Sequence, residues 1–195
     1  MEKGTKAAWT ILTTGLCVVL DQATKALARQ HLRGSPPIYV LGGLVELQYG
    51  ENAGAFLGFG AKLPEEVRFI ALVWLMGLAL ITGLVGLILM RRLPIPVVVA
   101  ASLILGGGIG NLIDRIRHGG AVIDFVAIGW GRIGTGVFNL ADVAVMAGLA
   151  MITYELLFAE GTSAAERGSV PAGEASAREE AEQRARSIEG KGKAP

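Results

Sequence analysis

The sequence predicts a membrane protein of four transmembrane helices, with short strand-like segments between them and a polar C-terminal tail. Three observations lead there. The 195 residues are 52% hydrophobic with a mean hydropathy of +0.51, too apolar for an ordinary soluble domain. Two runs, Phe69 to Met90 and Leu93 to Ile113, carry no charge, and about 20 residues suffice to cross a hydrocarbon core as a helix. From Gly161 to Pro195 the composition turns to Ala, Glu, Arg, Gly and Ser without an aromatic residue. Such a stretch cannot bury a core and is expected to be disordered.

The elements follow in chain order. Ala7 to Leu20 is apolar and continues helix-compatibly through "DQATKALA", which makes the first span. "IYVL-GG-LVELQY" reads as two short strands around a Gly-Gly turn. In "LPEEVRF", Pro64 stands early and Glu65 and Glu66 occupy the first turn, where the helix dipole favours anions; this starts the second span. "RRLPIP" is a tight turn into the third span, its prolines breaking the helix. Beyond it, "RIRHGG" reads as a polar loop, "AVIDFVAI" as a short strand and "GWGRIGTG" as a flexible connection. Phe138 to Phe158, apolar apart from Asp142 and Glu155, is the fourth span. The chain thus divides into a membrane domain over 1–160 and a tail over 161–195, and no internal repeat is present.

Charge and cysteine usage exclude several classes. A formal charge of +1 argues against a nucleic-acid partner. The lone Cys17 lies inside the first apolar run, so no disulfide framework exists and simple packing is expected. His31 and His118 are too isolated to hold a metal. "GGGIGN" has Asn111 where a dinucleotide fingerprint needs a third glycine, so close helix packing is the better reading. Lys3, Lys6, the apolar run and "ALA" at Ala26 to Ala28 could form a cleaved secretory signal, a reading that Asp21 and Lys25 oppose. The basic residues do not orient the chain. Lys3, Lys6, Arg91 and Arg92 lie toward one side, Arg29, Arg33, Arg115, Arg117 and Arg132 toward the other.

The four aspartates, Asp21, Asp114, Asp124 and Asp142, all stand against apolar runs. A carboxylate there is costly unless something pairs with it or uses it. Because spans alternate direction, the end of span one, the end of span three and the start of span four share a face, so all four gather on one side. The loop "ENAGAFLGFG" joins them. Asp124 and Asp142 flank the short connection between spans three and four. They are either a pair sharing one proton, able to activate water and protonate a leaving group, or helix caps, with Asn139 as N-cap and Asp142 in the first turn. Asp21 and Lys25, four residues apart, can form an intrahelical ion pair.

"DQATKALA", "NAGAF", "GGGIGNLIDR", "VIDF" and "FNLADV" occur in this order on a four-span chain. Together they resemble the lipoprotein signal peptidases, the bacterial signal peptidase II family, over roughly residues 8 to 158. The resemblance removes the cleaved-signal reading, since Asp21 and Lys25 belong to its first motif. It implies that Asp124 and Asp142 are the catalytic aspartates of a membrane aspartic endopeptidase. Asn52 and Gly54 match the motif lining the site, Asn111 and Arg115 match "GNxxDR", and Asp114 in that string is structural. Asn139 supports the second catalytic aspartate, and Asp21 with Lys25 is the polar pair ending the first helix.

The implied substrate is a diacylglyceryl-modified prolipoprotein, cleaved just before the lipidated cysteine, with no cofactor and no metal. Implied too are a small extracytoplasmic β element on the membrane, contact with membrane lipid, no nucleic acid, and a monomer. The implied location is the bacterial cytoplasmic (inner) membrane, multi-pass, with both termini cytoplasmic and the active site near the outer face. Two departures from the family pattern fall on loops. "NAGAFL" stands for the usual "NxGAAF", and the interval from Asp114 to Asp124 is one residue longer than expected. Two rivals fit less well. A proton-coupled transporter would want an acid at mid-span, where only Glu155 comes near. A presenilin-like protease would want "GxGD" inside a span, and no such string exists.

Overall fold

The structure, a computed structural model, describes residues 3–54, 64–90, 93–130 and 133–168. Among them four helices are long and apolar enough to cross a membrane: Gly4–Leu32, Glu66–Leu89, Ile95–Arg117 and Leu140–Phe158. The first is part of α1 (Lys3–Leu32). The second is built from α2 (Glu65–Ile70), a π-helical segment at Ala71–Leu75 and α3 (Met76–Leu89). α4 (Ile95–Arg117) and the start of α5 (Leu140–Gly168) supply the other two. Between them lies a four-stranded antiparallel sheet in the order β1 (Ile38–Val40), β2 (Val45–Asn52), β3 (Val122–Trp130), β4 (Ile133–Gly134).

Several boundaries differ from the sequence expectation, each for a local reason. α1 runs on to Leu32, so Asp21 and Lys25 lie inside the helix and not at its end. "RIR" is not loop either. α4 continues through Arg117, and the "HGG" that follows closes it. Gly119 and Gly120 take φ of 60° and 94°, and the Gly120 N–H returns to the Arg115 carbonyl at 2.7 Å, a glycine-dependent helix stop. "GWGRIGTG" is partly ordered, since Gly129 pairs with Gly134 and Trp130 with Ile133. A Cβ at Gly129 would stand 3.0 Å from the Ile133 carbonyl oxygen, so glycine is what lets these strands close up. α5 passes the expected boundary at 160 and ends at Gly168. The rest of the tail, like the aromatic of "NAGAFL" and the "RR" turn, lies outside the described residues.

α4 is the central helix, and its small residues explain why. Gly106 faces Cys17 and Thr14 of α1, Gly107 faces the Ala141 carbonyl and Val145 of α5, and Gly108 faces Leu80 of α3. Successive residues on a helix point about 100° apart, so three consecutive glycines open three sides to three neighbours. Gly148 of α5 reciprocates, since a Cβ there would lie 2.5 Å from the Ala100 carbonyl oxygen. Small residues at a crossing let backbones approach closely, as transmembrane helices require. Cys17 is buried at one such crossing, in the packing role expected of it. Large apolar side chains such as Ile11, Leu12, Val19, Trp74, Leu78 and Ile81 face outward, as lipid-facing surfaces do.

A lysine at the other end of the bundle ties two spans together. Lys6 Nζ donates to the carbonyls of Leu87 (2.8 Å), Ile88 (3.1 Å) and Met90 (2.8 Å). These are groups at the C-terminus of α3 that the helix cannot satisfy itself, and a cation is favoured there.

Candidate functional site

Hydrogen bonds join all four aspartates to one buried polar network, and each arrives by a different local device. Asp124 comes from β3, where it pairs with Gly50 of β2 while Asn52 pairs with Val122. Asn52 is therefore a diagonal neighbour of Asp124 on the same sheet face, and its Nδ2 donates to Asp124 Oδ2 at 3.0 Å. The Asn52 Oδ1 accepts the Gly54 N–H at 3.0 Å, which turns the chain out of the strand. Asp142 comes from the first turn of α5. Its backbone N–H donates to Asn139 Oδ1 at 2.9 Å, and its Oδ2 accepts the Asn139 N–H at 3.2 Å. That reciprocal pair is a capping box with asparagine and aspartate in the two roles.

Capping and pairing therefore coexist. The same Asn139 that caps α5 turns its Nδ2 toward Asp124 Oδ1 at 2.7 Å, with Asn111 Oδ1 at 3.1 Å and the Ile123 carbonyl at 3.3 Å also in reach. One buried amide thus holds both carboxyl groups. Asp124 is 3% exposed. Burial pushes its carboxyl from the ordinary 3.8 up to about 6; the hydrogen bonds from Asn52 and Asn139 oppose the shift, and the charge of Asp142 adds to it.

Behind this pair is a second buried layer. Lys25 Nζ contacts Asp21 Oδ2 at 2.9 Å, Asp114 Oδ2 at 3.0 Å and Asn111 Oδ1 at 2.8 Å. Lys25 is 2% exposed and Asp21 0%. The pair expected to be a local i,i+4 bridge is thus a junction between helices. Asp21 Oδ1 accepts the Ala141 N–H at 3.0 Å, satisfying one of the free donors at the start of α5. Asp114 Oδ2 also accepts the Ile123 N–H at 3.1 Å and so fixes β3 one residue before Asp124. Asn111 Nδ2 donates to Asp142 Oδ1 at 2.9 Å, connecting this layer to the aspartate pair.

Arg115 frames the site from the loop side. Its Nη1 donates to the Gly120 carbonyl at 2.7 Å and its Nη2 to the Gly54 carbonyl at 3.0 Å. A planar guanidinium with several donors suits such a two-loop clamp. The "HGG" turn is therefore used by the site frame, through Gly120. Gln22 has no place in the sequence expectation, although it stands inside the first motif. Its Nε2 lies 3.2 Å from Asp21 Oδ2 and the Gly110 carbonyl and 3.1 Å from Asp114 Oδ1. Gly110, one of the glycines expected at a close helix crossing, stands against the site itself, since a Cβ there would be 2.5 Å from Asp21 Oδ2.

The chain is similar to known proteins over most of its length. A model of the signal peptidase (SPase) II family matches residues 13–158. A lipoprotein signal peptidase of Syntrophus aciditrophicus is 36% identical over 149 residues, covering 75% of this chain and 91% of that protein. Another, from Geobacter metallireducens, is 35% identical over 149 residues, with 75% and 88% covered. Two solved structures described as a bacterial membrane enzyme by the in meso method, at 1.9 and 2.3 Å, each align with a TM-score of 0.64. Their identities are 26% and 25%, and 76% of this chain is covered with 92% and 87% of theirs.

Proposed function

The chain belongs to the signal peptidase II family, a family of membrane aspartic peptidases, and we propose that it removes signal peptides from prolipoproteins with Asp124 and Asp142 as its catalytic pair. The observation that carries the assignment is Asn139, whose side chain bonds to Asp124 while its backbone and Oδ1 hold Asp142. The two carboxyl groups differ in surroundings. Asp124 is buried, and burial pushes its carboxyl up to about 6, whereas Asp142 is half-buried in the first turn of α5.

In this reading Asp124 carries the shared proton and Asp142 is the base. Asp142 takes a proton from a water, whose oxygen bonds to the scissile carbonyl carbon. As the C–N bond breaks, the leaving nitrogen receives the proton of Asp124. The products are a carboxylic acid and an amine, and the pair still holds one proton, now on Asp142. Asn52, Asn111 and Asn139 orient the pair, while Arg115 holds Gly54 and the loop it begins.

The substrate is a prolipoprotein whose cysteine carries diacylglycerol, cleaved just before that cysteine. Each buried methylene of a lipid chain contributes roughly 0.8 kcal/mol, so two chains can dominate recognition of an otherwise variable peptide. The enzyme acts as a monomer, with the aspartates near the outer face of the bacterial cytoplasmic membrane and both termini cytoplasmic. The test compares lipidated and bare peptides in a reconstituted assay with wild type, Asp124→Asn and Asp142→Asn. The reading expects cleavage of the lipidated peptide alone, and none by either variant. Turnover by either correctly inserted variant would refute the pair, and equal cleavage of both peptides would remove the lipoprotein substrate.

A further inference from the structure

We propose that Lys25 is a positioning residue for hydrolysis: its ammonium fixes the amide of Asn111 so that the Nδ2 edge, and not the oxygen, faces Asp142. This rests on the aspartate-pair reading above and adds a residue that acts from the far side of the network. The argument is one of donors and acceptors. Asn111 Oδ1 lies 2.8 Å from Lys25 Nζ and 3.1 Å from Asn139 Nδ2, while Asn111 Nδ2 lies 2.9 Å from Asp142 Oδ1. An ammonium has only donors. Flipping the amide would set its NH2 against the ammonium and a second NH2, and its oxygen against a carboxylate. Three favourable contacts would become three repulsive ones.

Lys25 can play this part because it cannot move. Asp21 and Asp114 hold its Nζ from two helices, at 2.9 and 3.0 Å, and it is 2% exposed. Asn139, held by the Asp142 N–H on its oxygen and by Asp124 on its Nδ2, favours the same orientation of the Asn111 amide, and Lys25 adds the charged donor at the shorter distance. The charged groups around this arrangement are Asp21 and Lys25 from α1, Asp114 and Arg115 from α4, Asp124 from β3 and Asp142 from α5. Lys25 is the cation among them that bonds directly to the side chain donating to Asp142. Its ion pair with Asp21 is thus the support of a polarity that reaches the reacting water.

The single variant Lys25→Met would strand two buried carboxylates and is expected to fold poorly. The informative variant is Lys25→Met/Asp114→Asn, which keeps the net charge of the Asp21–Lys25–Asp114 group, and its amide oxygen can still accept the Ile123 N–H. We expect kcat on a synthetic diacylglyceryl peptide, per folded enzyme in liposomes, to fall about tenfold to hundredfold in this variant. Asn111→Leu should show a similar loss, the size set by one hydrogen bond to a charged group. Because Lys25 acts through Asn111, the triple variant should lose no more than Asn111→Leu does alone. Asp114→Asn alone removes one of the two carboxylates that hold Lys25 but keeps the Lys25–Asn111 bond, so its loss should be clearly smaller than that of Lys25→Met/Asp114→Asn, the difference being the part due to Lys25.

Multiplying losses in the triple variant, or wild-type kcat in Lys25→Met/Asp114→Asn, would overturn the proposal. Asp142→Asn is assayed alongside. If it retains turnover, the aspartate-pair reading falls and this proposal with it. If it is inactive while the losses multiply, only the role of Lys25 falls.

Discussion

Replacing Gly110 by alanine tests how tightly helix packing and catalysis are coupled here. The new Cβ would stand 2.5 Å from Asp21 Oδ2 and 3.1 Å from its Cγ. A carbon–oxygen contact needs about 3.3 Å, so the carboxylate must retreat about 0.8 Å or α4 must move away from α1. That oxygen is also the one 2.9 Å from Lys25 Nζ, and the other oxygen of Asp21 holds the Ala141 N–H at 3.0 Å. Overpacking costs about 1–3 kcal/mol and one weakened bond to a charged group about 1.5–3 kcal/mol. The better helix propensity of alanine offsets about 1 kcal/mol.

The net loss for Gly110→Ala is therefore about 1.5–5 kcal/mol, or about 3–20 °C in the melting midpoint for a chain of this size. Turnover should fall at least about tenfold, since the start of α5, and with it Asp142, loses its anchor. Thermal melts in detergent and single-turnover cleavage of a lipidated peptide measure both. Gly15→Ala is the control: it lies on α1 with nothing within 4 Å of its added Cβ, so it should melt no lower than wild type. A Gly110→Ala enzyme with an unchanged midpoint and unchanged turnover would refute the reasoning.

Three further outcomes are expected. Lys6→Met leaves three carbonyls at the end of α3 without their donor, so the melting midpoint should drop while turnover stays within about twofold. Asp124 binds its proton more tightly folded than unfolded, 3.8 rising to about 6, so its contribution to stability is complete below about pH 4 and lost as pH rises through about 6. The midpoint of wild type should accordingly fall relative to Asp124→Asn between pH 4 and 7, and parallel curves in scanning calorimetry would exclude the shift. Removing 169–195, where the acidic and basic residues nearly cancel, should leave specific activity within about twofold in a reconstituted assay.

The sequence by itself determined the membrane class, the four spans, the strand-like segments and the identity of the residues around the site, because apolar run length and motif order are local properties of the chain. Asp124, Asp142, Asn52, Asn111 and Asn139 could all be named from their strings. What those strings could not express was which atom faces which. Spacing left capping and pairing as alternatives for Asp142, whereas in the fold Asn139 serves both through different atoms. Asp21 and Lys25 read as a local ion pair four residues apart. Their partners Asp114, Asn111 and the Ala141 N–H lie 86 to 120 positions away and meet them only when α1, α4 and α5 pack. The glycines of "GGGIG" announced close packing, but only the crossing of the helices gave each one its neighbour. A buried polar group must find its partner wherever the packed chain supplies one, and that supply is a property of tertiary structure alone.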